Sequence, residues 1–117
     1  MSTRSFVIVA IYLFLTSCAT LTSNTEIKAN DSFILGNNEH GSFKVVLKNS
    51  SDVDLEVYHA PVGGGRHSSQ LVKPKKTISV DVDKNTALVI NNPSGNKVNV
   101  ELLVSGDLGL SMGYKNQ

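Results

Sequence analysis

From Phe33 onward apolar residues recur at every second position, in short segments separated by turn residues. Phe43, Val45 and Leu47 alternate with Lys44, Val46 and Lys48. Val53, Leu55 and Val57 alternate with Asp54, Glu56 and Tyr58, and Ile78, Val80 and Val82 with Ser79, Asp81 and Asp83. Val98, Val100, Leu102 and Val104 follow the same rule, as do Leu108, Leu110, Met112 and Tyr114. A period of two puts one apolar and one polar face on each segment, as in antiparallel sheets with one wet side. No segment in this region carries a helical stripe of period 3.6.

Two less regular segments add to the count. Ala87 to Ile90 is a short continuous apolar run, the mark of a central strand, and Ser32 to Leu35 reads as a short first strand. Between them stand Gly36-Asn37-Asn38, Asn49-Ser50-Ser51-Asp52, Asp83-Lys84-Asn85, Asn92-Pro93-Ser94-Gly95-Asn96 and Ser105-Gly106-Asp107, all rich in turn formers. The expectation is an all-β fold, a small antiparallel β-sandwich of seven to eight strands covering 32–117. Val45-Val46-Leu47-Lys48-Asn49-Ser50, with Leu71-Val72-Lys73-Pro74-Lys75-Lys76-Thr77-Ile78 further on, resembles immunoglobulin-like modules of bacterial surface proteins. The resemblance implies an immunoglobulin-like sandwich and no particular activity.

The start of the chain is different in kind. Arg4 precedes an unbroken apolar run from Phe6 to Leu15, followed by Thr16, Ser17 and Cys18, the single cysteine. A run of that length suits an export signal and falls short of the ~20 residues a membrane-spanning helix needs. The string Leu15-Thr16-Ser17-Cys18 resembles the lipobox of bacterial lipoprotein precursors. That resemblance implies a signal peptide over 1–17, cleaved before Cys18, and a diacylglyceryl thioether on the Cys18 sulfur, with acylation (palmitate or similar) of the freed amine. Two or more acyl chains hold a protein firmly to a bilayer, where one holds it only marginally. Ala19 rather than an aspartate follows Cys18, so in a diderm host the family's sorting rule implies the outer membrane. Residues 18–31 then form the lipidated cysteine and a polar tether, spanning on the order of 20 Å. With one cysteine, no disulfide can form within the chain.

The charge balance narrows the partners. Eleven basic residues face ten acidic ones, and cleavage removes Arg4. A chain so balanced has no bulk attraction for nucleic acid. Membrane affinity comes from the lipid, and an envelope protein is the expected partner.

No catalytic constellation, metal set or cofactor motif is legible. His40, His59 and His67 lack metal-ligand spacing and read as surface residues. Asp81-Val82-Asp83-Lys84-Asn85 begins like a calcium loop, but Thr86 stands where glycine is needed and Asn92 where glutamate is needed. Gly63-Gly64-Gly65-Arg66-His67-Ser68-Ser69 is the most unusual internal segment, a sterically open backbone followed by cationic and hydroxyl groups. It reads either as a connection between sheets or as a binding loop for an anion, glycan or partner strand. Lys73, Lys75 and Lys76 around Pro74 form a small basic turn, solvated or facing anionic headgroups. Gly63, Gly64, Gly65, Arg66, His67, Lys73, Lys75 and Lys76 are therefore the expected contact region. The function expected is a non-enzymatic, lipid-anchored binding module of the cell envelope. The alternatives are a small-ligand or glycan binder using the same loop, and an envelope hydrolase built on His59 or His67.

Overall fold

The computed structural model describes residues 19–116. The expected signal peptide and the expected lipidation site, Cys18, lie outside them. Nine strands form in chain order: β1 (Thr20–Ile27), β2 (Ser32–Leu35), β3 (Phe43–Asn49), β4 (Leu55–Pro61), β5 (His67–Val72), β6 (Thr77–Val82), β7 (Thr86–Asn91), β8 (Val98–Gly106) and β9 (Met112–Tyr114). They make two antiparallel sheets, one ordered β1-β8-β3-β6 and the other β5-β4-β7-β2-β9. The all-β antiparallel sandwich expected from the period-two pattern is what the chain forms.

The pairing is nested. β1 lies against β8, β2 against β7, β3 against β6 and β4 against β5, as in one long hairpin rolled up on itself. β3 with β8 and β4 with β7 then close the two sheets, and β9 adds to the outside of β2. This is the double Greek-key order of a jelly roll. Immunoglobulin domains instead place the first strand beside the second and the second beside the fifth, so that resemblance does not extend to the strand order.

The alternating apolar residues meet between the sheets. Ile27, Val45, Leu47, Leu55, Val57, Leu88, Ile90, Val100, Leu102 and Val104 are all essentially inaccessible, and Phe33 and Phe43 cap the cluster. At about 25 cal/mol per Å² of apolar surface removed from water, this layer is the main force holding the sheets together. β7, the continuous apolar run, is buried on both faces at the centre of the five-stranded sheet.

Three sequence expectations are corrected. The polar tether is mostly strand: Thr20–Ile27 pairs in register with Ser105–Val98, with Thr25 and Ile27 buried. β4 begins at Leu55 because Val53 is held in the preceding turn, its carbonyl accepting from Asn49 Nδ2 at 2.8 Å. Leu108 to Ser111 is loop. Asp107 Oδ1 accepts from the Gly109 amide at 2.8 Å, and Asn38 holds the Gly109 carbonyl and Ser111 amide, pulling the backbone off the sheet until Met112.

The loops gather at two ends. Loops 36–42, 62–66, 83–85 and 107–111 share one, joined by Asn85 N–H donating to the His40 carbonyl, Val62 N–H to the Asn85 carbonyl, and Asp107 N–H to the Ser42 carbonyl. We call this the glycine end. Loops 28–31, 50–54, 73–76 and 92–97 share the other, the asparagine end, where two matching turns clip the sheets together. Asn92 is fully buried. Its Nδ2 donates to the carbonyls of Ile27, Lys28 and Asn96, and its Oδ1 accepts from the Ser94 amide and hydroxyl. Asn49, equally buried, donates to the carbonyls of Val53 and Val72 and accepts from the Ser51 amide and hydroxyl. Each asparagine thus ties the end of a strand in one sheet to the other sheet.

Candidate functional site

The expected contact region falls on the β4–β5 hairpin, the edge strand β5 and the turn after it. Pro61 ends β4, and its carbonyl accepts from the Gly64 amide at 2.9 Å. Gly64 and Gly65 then turn the chain at φ of 98° and 94°, a region closed to most side chains. This is why the sequence spends glycines here. The register shifts just beyond: Val57 faces Gln70 and His59 faces His67, so Ser68 and Ser69 together oppose Tyr58. Ser68 sits at φ 55°, which makes this a β-bulge on the edge strand.

β5 is hydrogen-bonded on one side only, to β4. Its first five residues are exposed, and Leu71 keeps 58% of its surface. An edge of this kind offers unpaired backbone groups to an incoming strand.

The cations are less free than the sequence implies. Arg66 folds back over the outer face of the sheet, its guanidinium carbon 3.9 Å from the centre of the Tyr58 ring and Nη1 3.4 Å from Glu56. Ser69 donates to the other Glu56 oxygen at 3.1 Å. Lys73 lies 3.5 Å from Asp54, and Lys75 lies 3.5 Å from Asp52 while donating to the Ser50 carbonyl at 2.9 Å. Such exposed pairs contribute little to stability, about 0–1 kcal/mol, but they cancel charge. Lys76 alone of this group has no acidic partner among the described residues.

The turn itself is strained. Lys76 N–H donates to the Lys73 carbonyl at 3.1 Å, with Pro74 at the second position and Lys75 at the third at φ 66°. That is a type II turn, whose third position favours glycine or asparagine. A lysine there costs roughly 1–2 kcal/mol.

The structure separates the two halves of the expected site. Gly63–Arg66 lies at the glycine end and Lys73–Lys76 at the asparagine end, with the six residues of β5 between them, about 20 Å. Neighbours in sequence are opposite poles of the molecule.

The histidines divide. His59 and His67 are cross-strand partners at the base of the hairpin. Two imidazoles fall short of a structural metal set, and no group of three or more His, Cys, Asp or Glu gathers among the described residues. His40 is not a surface residue. It is buried edge-to-face against Phe43, ring centres 5.1 Å apart, and Nε2 lies 3.0 Å from the carbonyls of both Gly36 and Thr86. Its role is to fasten loop 36–42 to β7. The distance in sequence between His40 and Thr86, 46 residues, hid that role.

Asp107 completes the glycine end. Amides of Gly109 and Gly41 both donate to its carboxylate, at 2.8 and 2.6 Å, and hold its pKa below the ordinary 3.8, with the nearby His40 adding to the effect. The surface depressions beside it are lined by Ser42, Lys44, Asp81 and Asp83, or by Gly41, Pro61, Lys84 and Thr86. Neither brings a histidine together with an acid and a nucleophile.

No protein-family model matches the chain, and no curated protein is similar to it. Among solved structures it is similar to the crystal structure of Yersinia pseudotuberculosis-derived mitogen. The two are 18% identical with a TM-score of 0.46, over 75% of this chain and 86% of the other.

Proposed function

We propose that the chain is a lipid-anchored, non-enzymatic interaction module of a bacterial cell envelope, acting through the open edge of β5 and the Lys73–Lys76 turn. The observation that carries this is the edge itself: a strand paired on one side, exposed for most of its length, on a rigid sandwich. Strand addition is the natural binding mode for such an edge, with backbone hydrogen bonds giving affinity and alternate side chains giving specificity. The bulge at Ser68 and Ser69 distorts the half of β5 next to the glycines and leaves Gln70 to Val72 regular. Leu71 lies in that regular half, and the strained lysine turn continues from it. The resemblance of Leu15-Thr16-Ser17-Cys18 to a lipobox supports the anchor, and Ala19 supports the outer membrane in a diderm host.

The test is crosslinking of the membrane-bound protein in its native cells, with partners identified by mass spectrometry. The comparison is a Cys18→Ser form released through an ordinary cleavable signal. A specific partner that depends on the anchor, and that Leu71→Lys abolishes without loss of folding, is the expected result. Capture unchanged by Leu71→Lys would remove the β5 edge from the interaction.

A further inference from the structure

We infer that the sandwich stands end-on to the membrane, glycine end against the lipid headgroups and asparagine end pointing away. The inference rests on the lipid-anchor reading of Cys18. It follows from where β1 starts. Only Ala19 separates Cys18 from Thr20, the first residue of the strand. Two residues reach at most about 7 Å, against the ~20 Å of a free tether of the length expected from sequence. Thr20 is fixed opposite Ser105, beside loop 107–111, and eight register pairs hold β1 along β8 to Ile27 opposite Val98. An eight-residue strand is about 26 Å long, so the asparagine end lies that much further from the anchored sulfur.

The lipid sets this polarity, and charge opposes it. The glycine end carries Glu39, Asp83 and Asp107 against Arg66 and Lys84. The asparagine end carries Lys28, Lys73, Lys75, Lys76, Lys97 and Lys115 against Asp31, Asp52 and Asp54. A free domain meeting an anionic surface would turn its lysines toward it; the anchored domain turns them outward. Val62, 67% exposed, and the three glycines beside it therefore face headgroups rather than a protein partner. The Lys73–Lys76 turn faces whatever approaches from beyond the membrane.

The experiment uses the full chain, expressed with its own signal in a bacterial host. Single reporters are placed by Val62→Cys at the glycine end and by Gly95→Cys at the asparagine end. Val62 is exposed, and a side chain at Gly95 meets nothing within 4 Å. The purified proteins are labelled with a fluorophore and reconstituted into phosphatidylcholine vesicles carrying a headgroup quencher. Mass spectrometry of the N-terminal peptide comes first. A peptide without acyl mass overturns the anchor reading and this inference with it. With the acyl mass present, the label at position 62 is expected to be quenched several-fold more than the label at 95. Equal quenching, or the reverse order, overturns the orientation and leaves the anchor standing.

Discussion

Asn92 offers the sharpest test of what holds the two sheets in place. Replacing it with alanine removes three donated and two accepted hydrogen bonds. Their cost is unequal. The carbonyls of Lys28 and Asn96 belong to exposed residues and regain water, as does the Ser94 hydroxyl. The carbonyl of Ile27, opposite Val98 at the end of the β1–β8 ladder, belongs to a residue with no exposed surface, so water cannot replace the side-chain donor lost there, at about 1–3 kcal/mol. Loss of the shared anchor between loops 28–31 and 92–97 adds roughly another 1 kcal/mol, one net hydrogen bond. A loss of about 3 kcal/mol is a large part of the ~5–10 kcal/mol expected for a domain of this size. With a urea slope of ~1–1.5 kcal/mol/M, the midpoint falls by about 2–3 M. Asn92→Asp sharpens the point. It is nearly isosteric and keeps the acceptor, but sets a buried carboxylate against three carbonyl oxygens. Such a group has a folded-state pKa raised above the unfolded value of about 3.9. The penalty is thus small in acid and grows as pH rises past the unfolded pKa. At neutral pH the aspartate variant is expected to be less stable than the alanine one, with the gap narrowing on acidification. Urea titrations followed by far-ultraviolet circular dichroism read both effects. An alanine variant within ~0.5 kcal/mol of wild type, the range of an ordinary surface substitution, or an aspartate variant as stable as wild type at pH 7, would refute the clip.

Further expectations follow from backbone geometry and charge. Lys75→Gly relieves the turn at φ 66° and loses only exposed contacts, so a net gain of up to about 1 kcal/mol is expected in thermal unfolding. Gly106→Ala places a Cβ 2.9 Å from the Ser42 carbonyl at φ 97°, so a loss of about 2–4 kcal/mol is expected in the same assay. The depressed pKa of Asp107 favours the folded state above its unfolded pKa, and that contribution disappears as pH falls through the folded value, below 3.8. Asp107→Asn is expected to flatten this acid limb, seen as a smaller difference in melting temperature between pH 5 and pH 3, both approximate settings spanning the carboxylate range.

The sequence made the core strands plain because each has one dry face and one wet one. Phe43, Val45 and Leu47, and Val98 through Val104, alternate in the protein as they do on the page. β5 left no such trace. An edge strand with five exposed residues has nothing apolar to alternate, so His67–Val72 reads as loop. β1 was hidden differently: its inward positions include Ser23 and Thr25, and Thr25 is buried with its hydroxyl 2.9 Å from that of Ser23. Of the candidate site, the glycine turn was legible from φ requirements alone. The pairing of Arg66, Lys73 and Lys75 with Glu56, Asp54 and Asp52 needed the strand register, which no local pattern carries. The separation of the glycine and lysine turns to opposite poles needed only the recognition that His67–Val72 is a strand.

The nested pairing also fixes an order of events while the chain is being made. β1 is made first among the nine strands and waits longest for its first partner, because β8 comes some seventy residues later. Until then it must wait unpaired, and an apolar waiting strand invites aggregation. Thr20-Leu21-Thr22-Ser23-Asn24-Thr25-Glu26 is the least apolar stretch of the sandwich's first sheet. The composition that disguises it as a tether lets it stay solvated as one, until residues 98–105 emerge and the molecule closes around its own beginning.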